Sequence, residues 1–128
     1  MFHIFNNQTE RNNFGGTKFI EIQYCKLEKG TSIKKLVNKI DYWKEDSLYI
    51  HIDDFDDFIS NYGKIFNSGT YSNLETGLID ETGINYYSPK QTEEIIKIIE
   101  MQKPLNYKIL ICWLNKVQEY NGFYFLGI

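Results

Sequence analysis

The sequence contains no alanine and a single arginine, Arg11. Proteins that grip nucleic acid neutralise phosphates with clustered Lys and Arg. With arginine nearly missing and a sequence pI of about 5.4, direct nucleic-acid binding is not expected. No apolar run approaches the roughly 20 residues of a membrane helix. The start, Met1-Phe2-His3-Ile4-Phe5-Asn6, lacks the basic n-region and long apolar h-region of a signal peptide. We therefore expect a cytoplasmic protein without a membrane partner. The only two cysteines, Cys25 and Cys112, lie far apart inside apolar patterns and read as two buried reduced thiols, with a disulfide as the alternative. Also missing are a P-loop, a dinucleotide fingerprint, a calcium loop and a Gly-x-Ser-x-Gly elbow. No cofactor and no catalytic group is expected on these grounds.

What is present is a globular composition. Of the 128 residues, 42% are hydrophobic and 16% aromatic, with ten Tyr and nine Phe. One domain over residues 1–128 is the simplest division, and a chain of this size buries roughly two-thirds of its unfolded surface. The abundance of Ile, Asn, Lys and Tyr, whose codons are rich in A and T, points to an AT-rich gene.

Periodicity predicts the elements. Phe2–Phe5 alternates weakly, and the Asn- and Gly-rich run Asn6–Thr17 reads as a loop. Lys18–Tyr24 alternates as a half-buried strand. A helix is expected from Thr31 or Ser32, with Ile33, Leu36, Val37 and Ile40 on its apolar stripe, Trp43 near it, and Lys34, Lys35 and Lys39 on the wet side. Leu48, Ile50 and Ile52 alternate as a strand. Phe55, Phe58, Ile59 and Tyr62 then recur at i, i+3, i+4 and i+7, a helix capped by Asp53 or Asp54. Gly63–Thr82 is irregular, with turns and room for one brief strand. Gly83–Tyr87 predicts a strand, and Ser88-Pro89-Lys90-Gln91 a capping box with Pro at the first helical position. That helix must end near Lys103-Pro104. A second runs from about Leu105 to Tyr120, burying Leu110, Trp113, Leu114 and Val117, and closes at Asn121-Gly122. Phe123–Ile128 completes the chain as a strand. The sum is an α+β domain, a single sheet of about four to five strands with helices packed on one face.

Charge is unevenly spread along the chain. Residues 1–44 hold eight Lys or Arg against four acids, residues 45–81 nine acids against Lys64 alone, and residues 82–128 five Lys against four acids. The acidity centres on Leu48–Tyr62, where Asp53, Asp54, Asp56 and Asp57 follow a strand and open a helix. His51 with Asp53 offers an imidazole and hard oxygen ligands, which leaves open a small metal-dependent hydrolase or nuclease. Carboxylates spaced along a helix splay around its axis, however, and do not converge on one ion. The layout fits better a docking surface for a basic partner, because a single-sign patch steers association and selects partners. The expected contact residues are Asp53, Asp54, Asp56 and Asp57, joined by Glu75, Asp80 and Glu81. Tyr49 and Tyr71, with Phe55, Tyr62, Tyr86 and Tyr87, are candidate aromatic anchors.

Gly83-Ile84-Asn85-Tyr86-Tyr87-Ser88-Pro89, then Trp113-Leu114-x-Lys116, then Tyr120-Asn121-Gly122-Phe123-Tyr124 together resemble small bacterial immunity proteins. These are the antidotes of contact-dependent growth inhibition and related polymorphic toxin systems. The resemblance covers the C-terminal third of the chain and transfers no functional residue. It implies tight binding of one cognate toxin domain, often a nuclease, and no catalysis. A nuclease toxin must hold phosphates and is accordingly basic, which suits an acidic antidote. A cytoplasmic adaptor is the remaining alternative, and a homodimer stays open.

Overall fold

In the computed structural model, which describes residues 1–38 and 40–128, one antiparallel sheet organises the chain. Among the described residues it has seven strands: β1 Phe2–His3, β2 Phe19–Tyr24, β3 Leu48–His51, β4 Gly69–Thr70, β5 Thr76–Gly77, β6 Ile84–Tyr87 and β7 Phe123–Leu126. Their order across the sheet is β1-β3-β2-β7-β6-β4-β5. The C-terminal strand is thus the middle one, hydrogen-bonded to β2 on one side and β6 on the other. The strand count exceeds the expected four to five because β4 and β5 form a two-residue ladder within Gly63–Thr82. Gly69 fits there because Tyr87 and the Asn85 Cβ lie where a side chain would go.

Among the described residues five α-helices accompany the sheet: α1 Gln8–Gly15, α2 Ile33–Leu36, α3 Phe55–Tyr62, α4 Pro89–Gln102 and α5 Tyr107–Asn115, the last continued by a 3-10 turn, Lys116–Glu119. Helices α3, α4 and α5 bury Phe58, Tyr62, Ile95, Ile99, Leu110 and Leu114 against Ile20, Ile22, Leu48, Ile50, Phe123 and Phe125 of the sheet. The capping box forms as the sequence predicts: Ser88 Oγ accepts from Gln91 N at 3.1 Å and Gln91 Oε1 from Ser88 N at 2.8 Å. Lys103, left-handed at φ 49°, ends α4 just before Pro104. Gly122, at φ 90°, turns the chain into β7, with Tyr87 O too close to admit a Cβ.

The other face is covered too, where the sequence predicts helices on one face only. Phe5, Phe19 and Tyr49 pack there with Trp43, and Cys25, Leu36 and Val37 pack with Tyr86 and Tyr124. Two predictions fail in that layer. Asn6–Thr17 is not all loop, since α1 forms with Asn7 Oδ1 accepting from Glu10 N at 2.9 Å. Arg11, buried, stacks its guanidinium 3.9 Å from the Trp43 ring and also donates to Gly16 O. The helix expected through Ile40 and Trp43 stops after one turn at Leu36, leaving Ile33 exposed. Beyond it, Glu21 projects from β2 into this layer. Its buried carboxylate accepts from Trp43 N at 2.6 Å, Lys44 N at 2.9 Å, Ser47 Oγ at 2.6 Å and Gln23 Nε2 at 3.0 Å. The loop wraps that charge, and Trp43 takes φ 70° to do so. Lys39, grouped above with Lys34 and Lys35, lies outside the described residues. Both cysteines are free thiols; Cys25 is buried as expected, but Cys112 is exposed because it lies on the outer side of α5.

Candidate functional site

The strand register gathers the acidic residues. Phe19 pairs with His51, and Leu126 pairs with both Glu21 and Ile84. The C-terminal ends of β3 and β7 therefore meet the N-terminal ends of β2 and β6 at one end of the sheet. His51–Asp57 leaves β3 at that end, and Asp80–Glu81 enters β6 there. Main-chain bonds from Ile52 N to Lys18 O (2.9 Å) and from Ile128 N to Glu81 O (2.9 Å) close the end off.

A 3-10 turn, Ile52–Asp54, joins β3 to α3, and His51 rather than an aspartate caps it. His51 Nδ1 accepts from Asp53 N at 3.1 Å, while its ring stands edge-on to Phe19 with centroids 5.2 Å apart. The Asp53 carboxylate, 86% exposed, lies 3.5 Å from the same nitrogen. Asp54, at the N-terminus of α3, makes no side-chain cap bond. Across from these, burial holds the His3 imidazole below its ordinary 6.5; the N-terminal ammonium and His51 push the same way and Asp54 opposes them. Asp56 and Asp57 are exposed in the first turn of α3, where carboxylates complement the helix dipole. Among the described residues, no three His, Cys, Asp or Glu side chains are grouped so as to hold a metal ion.

Asp80 and Glu81 stand differently. Asp80 Oδ1 accepts from both Thr82 N and Thr82 Oγ1 at 3.0 Å, and Asp80 N donates to Asn85 Oδ1 at 2.8 Å. Its carboxylate thus builds the turn into β6 and is only partly available. Glu81 is exposed and makes no such bond. Between α3 and residues 78–81 runs a cleft of about 760 Å³. Phe55, Ile59 and Ile65 line one side, Leu78 and Ile79 the other, and Asp80, Glu81 and Lys64 border it. Asp56 precedes Ile59 and Ser60 by three and four residues and so shares their helix face. Leu78 is 62% exposed and Ile59 36%, although the sequence places Ile59 on the buried stripe.

The remaining expected contacts do not join this cluster. Glu75 sits on the β4–β5 hairpin, where Tyr71 N donates to Glu75 O at 2.8 Å. Its strands β4 and β5 are four and five positions from β3, about 19–24 Å at ordinary strand spacing. Tyr71 is half-buried, and its hydroxyl is tied to Leu78 O at 2.5 Å, so it braces the cleft wall. Tyr49 is no surface anchor at all. It is fully buried on an interior strand, donates to Lys44 O at 2.6 Å, and has its hydroxyl pushed up to about 12 by burial, with Glu21 adding to the effect. Phe55, Tyr62, Tyr86 and Tyr87 are buried as well. Tyr49, Tyr86 and Tyr87 alternate onto sheet faces whose covering the sequence does not reveal, and Tyr62 lies on the buried stripe of α3. The cleft itself had only faint signals, Ile59 at the edge of its stripe and Leu78-Ile79 inside an irregular segment.

Compared with protein families, curated proteins and solved structures, the chain matches none of them. Among the described residues no helix is long and apolar enough to cross a membrane.

Proposed function

We propose that the protein is an immunity protein: it binds a cognate basic toxin domain, of the nuclease class, through the acidic end of its sheet, and performs no chemistry. One observation carries this reading. Exposed Asp53, Asp56 and Asp57, from one short segment, and Glu81, from a distant one, stand at the same end of the sheet, where Glu81 borders an apolar cleft against α3. Carboxylates on the rim with an apolar centre are what a steered and specific interface combines. An interface of this kind buries on the order of 1,200–2,000 Å² in total, more than the cleft alone, so the first turn of α3 would be covered as well. Inhibition follows from occupying the phosphate-binding surface of the toxin or from blocking substrate approach to it.

The test is genetic and then biophysical. The product of the reading frame directly upstream should kill cells through its C-terminal domain, and this protein should rescue them and co-purify with that domain. Changing Asp53, Asp54, Asp56 and Asp57 together to Lys should slow association with the toxin by about tenfold or more. Association of the parent protein should also slow steeply with added salt. Far-UV circular dichroism keeps the comparison to folded protein. Unchanged association in the folded variant would remove the aspartates from the interface, and absence of rescue would remove the toxin.

A further inference from the structure

The cleft between α3 and residues 78–81 carries information about the form of what enters it. Its volume, about 760 Å³, lies within the 300–1,000 Å³ of ordinary ligand sites and exceeds what one side chain fills. Peptide segments enter such places by adding a strand to a free edge or by laying an amphipathic helix into a groove. Strand addition needs a run of free main-chain groups on an extended wall, and residues 78–81 form no strand and have four of these groups already occupied. Leu78 O accepts from Tyr71 Oη at 2.5 Å and from Asn85 Nδ2 at 3.3 Å. Asp80 N donates to Asn85 Oδ1 at 2.8 Å, Asp80 O accepts from Gly83 N at 3.4 Å, and Glu81 O accepts from Ile128 N at 2.9 Å. The opposite wall is a helix, whose main chain is satisfied internally. What a partner chiefly reads here is side chains: exposed Ile59 and Leu78 in the lining, Glu81 on the border, and Asp56 on the same helix face as Ile59.

We infer that this cleft receives one face of a basic amphipathic helix from the partner, with aliphatic anchors seated between Ile59 and Leu78 and Lys or Arg reaching the flanking carboxylates. The inference rests on the docking reading above but specifies the element that docks. Apolar contact in the cleft sets how long the complex lasts, and the carboxylates set how fast it forms. Lys64, the single base on the border, opposes the basic helix.

The probe is a synthetic helical peptide of about 14 residues with Leu at i, i+3, i+4 and i+7 and Lys elsewhere. The control keeps the leucines and replaces Lys with Glu. Titrated into the full-length protein, the Lys/Leu peptide should shift the backbone amide resonances of residues 55–65 and 78–81, and the Glu/Leu peptide should not. Leu78→Asp and Ile59→Asp, at positions already open to solvent, should each weaken Lys/Leu binding about tenfold or more, and Lys64→Glu should strengthen it. Equal binding of both peptides, or full binding to Leu78→Asp and Ile59→Asp, would overturn the inference. With the toxin the two readings separate. Toxin binding that is lost in the aspartate variant yet unchanged in Leu78→Asp sinks the helix and leaves the immunity function standing. Peptide binding in the cleft without toxin rescue does the reverse.

Discussion

Glu21 shows how a single residue can fix a whole layer. It is 1% exposed, yet carries a carboxylate with donors arrayed on both oxygens. Unpaired burial of such a group is costly, and the donors are what make it tolerable. Three of them come from residues 43–47, which have no regular structure of their own, so the charge acts as the template for that loop. Glutamine keeps the shape but replaces one acceptor with an NH2 that faces a donor. Glu21→Gln should therefore cost about 1–3 kcal/mol for the donor left unpaired. The lower urea midpoint should come with altered near-UV dichroism from Trp43; an unchanged midpoint would mean that the loop is held by its apolar contacts alone. In the sequence Glu21 is one polar position of an alternating strand, and alternation assigns such a position to solvent. Only the wrapping of that position by residues 43–47, more than 20 residues away, makes it interior.

Elements defined by local chemistry are the ones the sequence discloses. α4 announces both ends, and α5 its buried stripe, because caps and period lie within a few residues of each other. α1 does not, since Asn and Gly are poor helix formers and its support includes distant contacts such as Arg11 stacked on Trp43, 3.9 Å away. The candidate site divides the same way. Its aspartates are plain in the sequence, whereas its cleft requires residues 78–81, tied to Asn85, to lie against residues 55–65. The capping box of α4 reaches beyond its own helix in a similar manner: Gln91 Nε2 also donates to Ser68 O at 2.8 Å and Ser68 Oγ at 3.3 Å, holding the start of β4. Ser88→Ala should cost about 1 kcal/mol, the ordinary loss of a cap. Gln91→Ala should cost at least as much, because it releases both the cap and the tie to Ser68. Thermal denaturation of the two variants decides the point, and a Gln91→Ala loss clearly below that of Ser88→Ala would show that the tie contributes nothing.

At the scale of the molecule, the sheet order separates the most deeply paired strand from the proposed docking end. β7 is flanked by β2 and β6 and lies between two covered faces, with Phe123, Phe125 and Leu126 at most 1% exposed. Its pairing with β2 joins residues about a hundred positions apart, a contact that loop-closure entropy delays and that alternation patterns cannot reveal. The acidic end is built instead from turns, a one-turn 3-10 segment and a cleft wall held by side-chain bonds to Asn85. Opening that wall breaks few apolar contacts, whereas separating β7 from β2 requires unfolding the core. Hydrogen exchange should therefore fall into two classes. Amides of β2 and β7 should exchange only at the free energy of global unfolding, while those of residues 69–82 exchange through smaller openings insensitive to low denaturant. A bound basic helix should then slow exchange at residues 78–81 and in α3 far more than in β7. If residues 69–82 were instead as protected as β7 without any ligand, the wall would be part of the cooperative core. The cleft would then be a rigid slot, and added ligand would leave exchange at 78–81 little changed.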